Sequence, residues 1–176
     1  MRAADLRFVL TQLGRLDDGR MDVGRMDVGR VAVTGHSLGG AAAMRAAQQE
    51  ARFGAVINLD GGPDPEQGPL RQAVLALTHE IRDKADAGYL ALLSKVLESG
   101  AATSCRLTVP GSADLTFTDA PLYLPPVPSV VGCLGPAGSV RMTTETCAAF
   151  LDVTLRGRVL DLPAVLVRDG DLRVYP

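Results

Sequence analysis

The group in this chain best placed to attack an electrophile is the serine of Gly35-His36-Ser37-Leu38-Gly39. Its G-x-S-x-G spacing lies between the apolar, β-prone run Val31-Ala-Val-Thr34 and a run of strong helix formers from Ala41 to Gln49. That context is a nucleophile elbow, a sharp strand-to-helix turn that leaves the serine hydroxyl exposed above a sheet. A Cβ at either Gly35 or Gly39 is expected to collide with neighbouring backbone in such a turn. The bland reading of the same residues is a glycine-rich βα turn that only packs, or that holds phosphate at a helix N-terminus. The flanking strand and helix favour the elbow. His36, directly before the serine, is expected to point away from the hydroxyl and to pack. The only other histidine, His79, follows an apolar strand run and precedes Glu80. From there it would reach the serine only if its loop folded in an unfamiliar way.

The elements that must position these groups alternate along the chain. Leu6, Val9, Leu10 and Leu13 have the i, i+3, i+4, i+7 spacing of one apolar helix stripe, which Gly14 is expected to end. After the strand and helix of the elbow, Ala55–Leu59, Ala73–Leu77 and Cys105–Val109 read as further strands, with a helical pattern from about Arg82 to Glu98. Strands that are apolar throughout and separated by helices predict an α/β protein with a parallel sheet of about four strands, covered on both faces. Pro110 to Pro136 is rich in Pro and Gly and is expected to be irregular. A last helix is expected from Thr143 or Thr144, with Ala148, Phe150 or Leu151, and Leu155 on its apolar side. The tail after Gly157 carries no clear pattern.

The composition limits the classes of function. With 18 Lys+Arg against 20 Asp+Glu the net charge is −2, and 47% of the 176 residues are hydrophobic. No basic block suggests nucleic acid, and no apolar run is long enough to span a membrane. Small molecules or proteins are the expected partners. Asp5 and Arg7 interrupt the N-terminal apolar residues, so no export signal is visible, and the compartment stays unassigned. Cys105, Cys133 and Cys147 form an odd set without metal spacing and read as structural or incidental. His36 and His79 are far apart in sequence and neither has a partner at ligand spacing, so no metal and no cofactor is expected. Residues 16–30 form three pentads that share Asp and Gly-Arg positions, two of them Met-Asp-Val-Gly-Arg. Five residues are too few for a solenoid unit, and an expanded surface turn is the expectation. A cation held by Asp17, Asp22 and Asp27 would lack the closely spaced, mixed oxygen ligands of a calcium loop.

Three segments together, Gly35-His-Ser-Leu-Gly-Gly40, Asn58-Leu-Asp-Gly-Gly62 and Val109-Pro-Gly-Ser-Ala-Asp-Leu-Thr-Phe-Thr-Asp119, resemble the α/β-hydrolase superfamily. Within it they resemble the bacterial relatives of platelet-activating-factor acetylhydrolase, serine esterases that cleave short acyl groups from lipids or related esters. The resemblance covers roughly Leu6 to Gly157. It implies Ser37 as nucleophile and Asp60 as the triad acid. Other α/β-hydrolases carry the acid one strand later, which here would be Glu80, Asp83 or Asp86. Asp60 is preferred because Gly61-Gly62 would leave space for a histidine to approach, although Asp before Gly-Gly-Pro also suits a cap or turn.

The chain departs from the family in two places. Where the pattern G-x-x-H-x-x-F-x-D implies the base, the chain reads Gly111-Ser-Ala-Asp114-Leu-Thr-Phe117-Thr-Asp119, so Asp114 stands for the histidine. A carboxylate is a weak base at neutral pH and repels a neighbouring Asp60. The superfamily also places several strands ahead of the elbow, whereas one helix and a turn precede Val31. The expectation is a single, incomplete α/β-hydrolase domain over residues 1–176, with its N-terminal strands missing, from a truncated frame. Leu38 N–H would then be the one remaining oxyanion donor, and strand 31–34 would keep an open edge prone to self-association. Two functions follow: an impaired serine hydrolase of carboxylic esters with an acyl pocket walled by Leu122 to Val130, or an inactive hydrolase-fold fragment or binding module.

Overall fold

A computed structural model of the chain describes residues 2–16, 27–82 and 84–176. In chain order the elements are α1 (Arg2–Leu16), β1 (Val31–His36), α2 (Leu38–Gln49), β2 (Phe53–Leu59), β3 (Ala73–Thr78) and α3 (Lys84–Glu98). β4 (Ser104–Thr108), a 3₁₀ turn η1 (Asp114–Phe117), α4 (Ala120–Tyr123), α5 (Pro128–Val131), α6 (Gly135–Thr154), α7 (Leu162–Leu166) and β5 (Asp171–Tyr175) complete it. The strands form one sheet in the order β1-β2-β3-β4-β5. The first four run parallel, as their unbroken apolar runs predict, and β5 returns antiparallel along β4. The sheet is therefore mixed, with a fifth strand from the tail that carried no clear pattern.

Alternation along each strand divides the core between two faces. Val56 on β2 and Val74 and Ala76 on β3 pack with Leu10, Met44, Leu93 and Leu97, beneath α1, α2 and α3. Ile57, Leu75, Leu77 and Leu107 pack on the opposite face with Met142, Phe150 and Leu166 of α6 and α7. Covered faces on both sides are what a parallel sheet requires, because no strand then exposes an apolar row to water.

Three local expectations are corrected. α1 runs through Gly14, whose absent Cβ faces open space, so the glycine lowers helix propensity without breaking the helix. Its inner stripe is Ala3, Leu6 and Leu10, while Val9 is half-exposed. α6 starts at Gly135, not at Thr143 or Thr144, because Pro136 falls in its first turn, where no N–H is required of it. The segment 110–136 accordingly contains η1, α4 and α5 rather than irregular chain alone. Residues 17–26, most of the pentad repeat, lie outside the described residues, as do Asp17 and Asp22; Asp27 is engaged by Gly29 N and Arg30. Cys105 and Cys147 lie in or against the core and burial raises both thiols, that of Cys147 to about 11, whereas Cys133 is exposed. Among the described residues, no helix is long and apolar enough to cross a membrane.

Candidate active site

Ser37, Asp60 and His79 each sit just past the carboxyl end of a parallel strand, the edge where open α/β sheets place their ligands. Ser37 follows β1 with φ 51° and ψ −120°, a left-handed conformation that costs a non-glycine residue about 1–3 kcal/mol. The surroundings enforce it. Ser37 N–H continues the β1–β2 ladder to Leu59 O at 2.8 Å, and Ser37 O accepts from Gly40 and Ala41 N–H as α2 begins. The Ser37 hydroxyl makes no capping bond to that helix.

The glycine requirement differs from the motif's. A Cβ at Gly35 would lie 2.3 Å from the Gly39 carbonyl carbon, so Gly35 is essential. At Gly39 a Cβ meets open space; the second excluded position is Gly40, where it would lie 2.2 Å from Asn58 Oδ1. The close approach is made by the Gly39 backbone, whose own Cβ direction is outward.

Asp60, past the end of β2, is the second strained residue, with φ 57°. Its N–H continues the β2–β3 ladder to Leu77 O at 2.8 Å. Fully buried Asn58 holds the turn: its Oδ1 accepts Gly61 N–H at 2.7 Å and its Nδ2 donates to Gly61 O at 2.8 Å. A Cβ at Gly61 would sit 2.6 Å from Ser37 O and 2.8 Å from Ala41 N, so this turn packs directly on the Ser37 turn. Gly61 thus serves the approach of the two turns, not the entry of a histidine. At Gly62 a Cβ would make ordinary contact with Tyr89 at 3.6 Å.

The partner of Asp60 is His79. With Leu59 paired to Leu77, the residue after β2 stands beside the end of β3. His79 N–H donates to Asp60 Oδ1 at 3.1 Å, and its Nδ1 lies 2.9 and 2.7 Å from the two carboxylate oxygens. His79 Nε2 lies 3.2 Å from Asp86 Oδ1 in the first turn of α3. One turn on, Tyr89 stacks on the imidazole with rings within 4° of parallel, and its hydroxyl donates to Asp60 Oδ1 at 3.4 Å. Burial, then the Asp60 charge, raises the Tyr89 hydroxyl far above the usual phenol range, so it remains a donor. The Asp60 hydrogen bond, opposed by partial burial and reinforced by the Asp60 charge and by Asp86, lifts the His79 pKa from 6.5 to about 9. His79 is an imidazolium at neutral pH.

That charge predicts a pH-dependent stability. A pKa raised on folding stabilises fully below the unfolded value near 6.5 and loses the contribution as pH climbs through about 9. Because 21% of the side chain stays exposed, the loss is discounted to about 2 kcal/mol. Urea unfolding at pH 6.5 and 9.5 measures it; a His79→Gln variant will lose that part of the slope, and an unchanged slope would refute the assignment.

Asp114 opens η1 and meets the other histidine. His36 Nε2 lies 2.8 Å from Asp114 O and 3.3 Å from its Oδ1. His36 is thus turned to η1, where it makes polar contacts, and the Asp114 side chain is half-exposed. Asp114 and Asp60 engage different histidines. Leu38, the first residue of α2, has a largely exposed side chain, and its N–H belongs to the first turn, whose donors a helix leaves unpaired. Of the alternative acids, Asp86 holds His79, Glu80 faces Arg82 at 3.9 Å, and Asp83 lies outside the described residues. The Asp60–His79 pair escaped the sequence reading although it had a trace there: both residues directly follow consecutive strands of one parallel sheet. Asp86 and Tyr89, i and i+3 on one helix face, carried no such trace.

The sheet, its two covered faces and the interlocked turns at its carboxyl edge are those of an α/β-hydrolase fold. Residues 19–156 match the family described as platelet-activating factor acetylhydrolase, isoform II, and the chain belongs to that family. Among solved structures it is similar to a ferulic acid esterase from Streptomyces cinnamoneus, with a TM-score of 0.79 and 29% sequence identity. That match covers 99% of this chain and 54% of the esterase, so the chain spans about half of that protein's length. No curated protein matches the chain.

Proposed function

We propose that the chain is a serine hydrolase of carboxylic esters, impaired at neutral pH. Ser37 forms the acyl-serine, Asp60 orients an imidazole, and Leu38 N–H donates to the oxyanion. The observation that carries this reading is the strained Ser37, φ 51°, braced by a turn whose next-door carboxylate is paired with an imidazole. The impairment follows from Asp114, whose carboxylate occupies the place of the family's base. Short-acyl lipid or related esters are the proposed substrates, and the likeness to a ferulic acid esterase adds aromatic acyl groups. An apolar cavity of about 290 Å³, lined by Pro121, Leu124, Pro126, Pro128 and Val131, suits the acyl part. The edge position of β1 supports association of two copies along strand 31–34.

The second reading, an inactive hydrolase-fold or binding module, is favoured by the Asp86 contact that occupies His79 Nε2. Labelling separates the two. A fluorophosphonate probe will modify Ser37, and turnover of p-nitrophenyl acetate and butyrate will disappear in Ser37→Ala. Folded chain without an adduct at Ser37 would establish the inactive module.

A further inference from the structure

We infer that His79 is the general base for Ser37 in this chain, taking over from the position now held by Asp114, with Asp86 as a positioning residue that keeps its Nε2 engaged at rest. The inference rests on the reading of Ser37 as nucleophile. The chain has two histidines, and His36 is turned to Asp114. His79 alone meets the Asp60 carboxylate, and through Nδ1, which leaves Nε2 as the nitrogen for proton transfer. Asp60 stands between the two groups: Ser37 follows β1, Asp60 β2 and His79 β3 in adjacent parallel strands, and the pairing of His36 with Leu59 and of Leu59 with Leu77 puts His79 one residue past the position level with Asp60. Two strand spacings are about 10 Å, so Nε2 meets the Ser37 hydroxyl only when the imidazole leaves Asp86 and extends along the sheet edge towards β1.

In the step inferred, Nε2 takes the Ser37 Oγ proton as Oγ bonds the acyl carbon, and returns it to the alcohol oxygen as the ester C–O bond breaks. Water then attacks the acyl-serine, giving its proton to Nε2, and the proton passes to Ser37 Oγ as the acid leaves. Nε2 must first lose its own proton and its contact with Asp86. The groups that govern this are Asp60 from β2 and Asp86 and Tyr89 from α3; Arg106 of β4 and Asp114 of η1 act on Tyr89 behind them. On its own segment, Glu80 is paired with Arg82.

The test is the rate of fluorophosphonate labelling of Ser37 in the full chain, followed by intact mass from pH 6 to 10.5. In wild type the rate will rise towards an alkaline plateau. Asp86→Asn removes one carboxylate, so its midpoint will move towards neutrality and its rate at pH 7 will increase about tenfold. His79→Gln will lose the pH-dependent rise. Equal rates and profiles in wild type, Asp86→Asn and His79→Gln, with Ser37 still labelled, would overturn the role of His79 and leave the nucleophile standing. Ser37 unlabelled at every pH in wild type and Asp86→Asn would overturn both. The Asp86→Asn arm retains the Asp60–His79 pair, so it decides the matter even where His79→Gln does not fold.

Discussion

Asp114→His, introduced into a chain that also carries His79→Gln, will raise ester hydrolysis by about 10²- to 10⁴-fold over His79→Gln alone, the range by which loss of one triad member depresses serine hydrolases. The same substitution with His79 in place will give a much smaller gain. The reason is occupancy of the carboxylate. Asp60, whose side chain is 2% exposed, already receives His79 Nδ1, its backbone N–H and the Tyr89 hydroxyl. An imidazole arriving from η1 finds an oriented acid only once His79 has gone. The site tolerates the change, because the Asp114 side chain is 53% exposed and His36 keeps its bond to the Asp114 carbonyl at 2.8 Å. Turnover of p-nitrophenyl butyrate by the four chains of this cycle is the measurement. Equal gains in both backgrounds would show that the two imidazoles do not compete for Asp60.

Gly35→Ala will destabilise the chain by about 3 kcal/mol or more, whereas Gly39→Ala will be neutral or stabilising by up to about 1 kcal/mol. The motif makes these glycines equivalent; the geometry separates them. At Gly35 the new methyl lies 2.3 Å from both the carbon and the oxygen of the Gly39 carbonyl, backbone atoms fixed by the start of α2. Relieving that clash displaces the strained Ser37. At Gly39 the methyl enters open space on the second residue of α2, where alanine is the better helix former. Urea midpoints of the two variants check this, and similar losses would refute it. Gly61→Ala belongs with Gly35, since its methyl would meet Ser37 O at 2.6 Å and so push the Asp60 turn off the elbow.

The two experiments address different faces of one arrangement. The Ser37 and Asp60 turns pack on each other with both residues at positive φ, and Asn58 is the buried clamp between Met44 and Gly61. The strain therefore belongs to the packing of two turns, and substitutions in either affect both. The imidazole has a different dependence. It responds to charge, being placed between Asp60 and Asp86.

The strand–turn–helix around Ser37, the four parallel strands and the helical pattern before β4 are legible in the amino-acid order, because they depend on local periodicity and on residues a few positions apart. Val31–Thr34 followed by Gly-x-Ser-x-Gly and a run of alanines leaves one local structure, and strands such as Ala73-Val-Leu-Ala-Leu77 are apolar enough to require cover on both faces. The place of Asp60 is legible for the same reason, as the residue past the next strand. Which histidine meets Asp60 depends on strand pairing. Asp60 and His79 are 19 residues apart, and their contact exists because Leu59 pairs with Leu77; a register one residue different would turn the imidazole to the opposite face. Tertiary packing likewise assigned the glycines, since a Cβ clash depends on which backbone lies opposite, and it recruited Asp171–Tyr175 as β5, a short alternating segment that becomes a strand by pairing with β4.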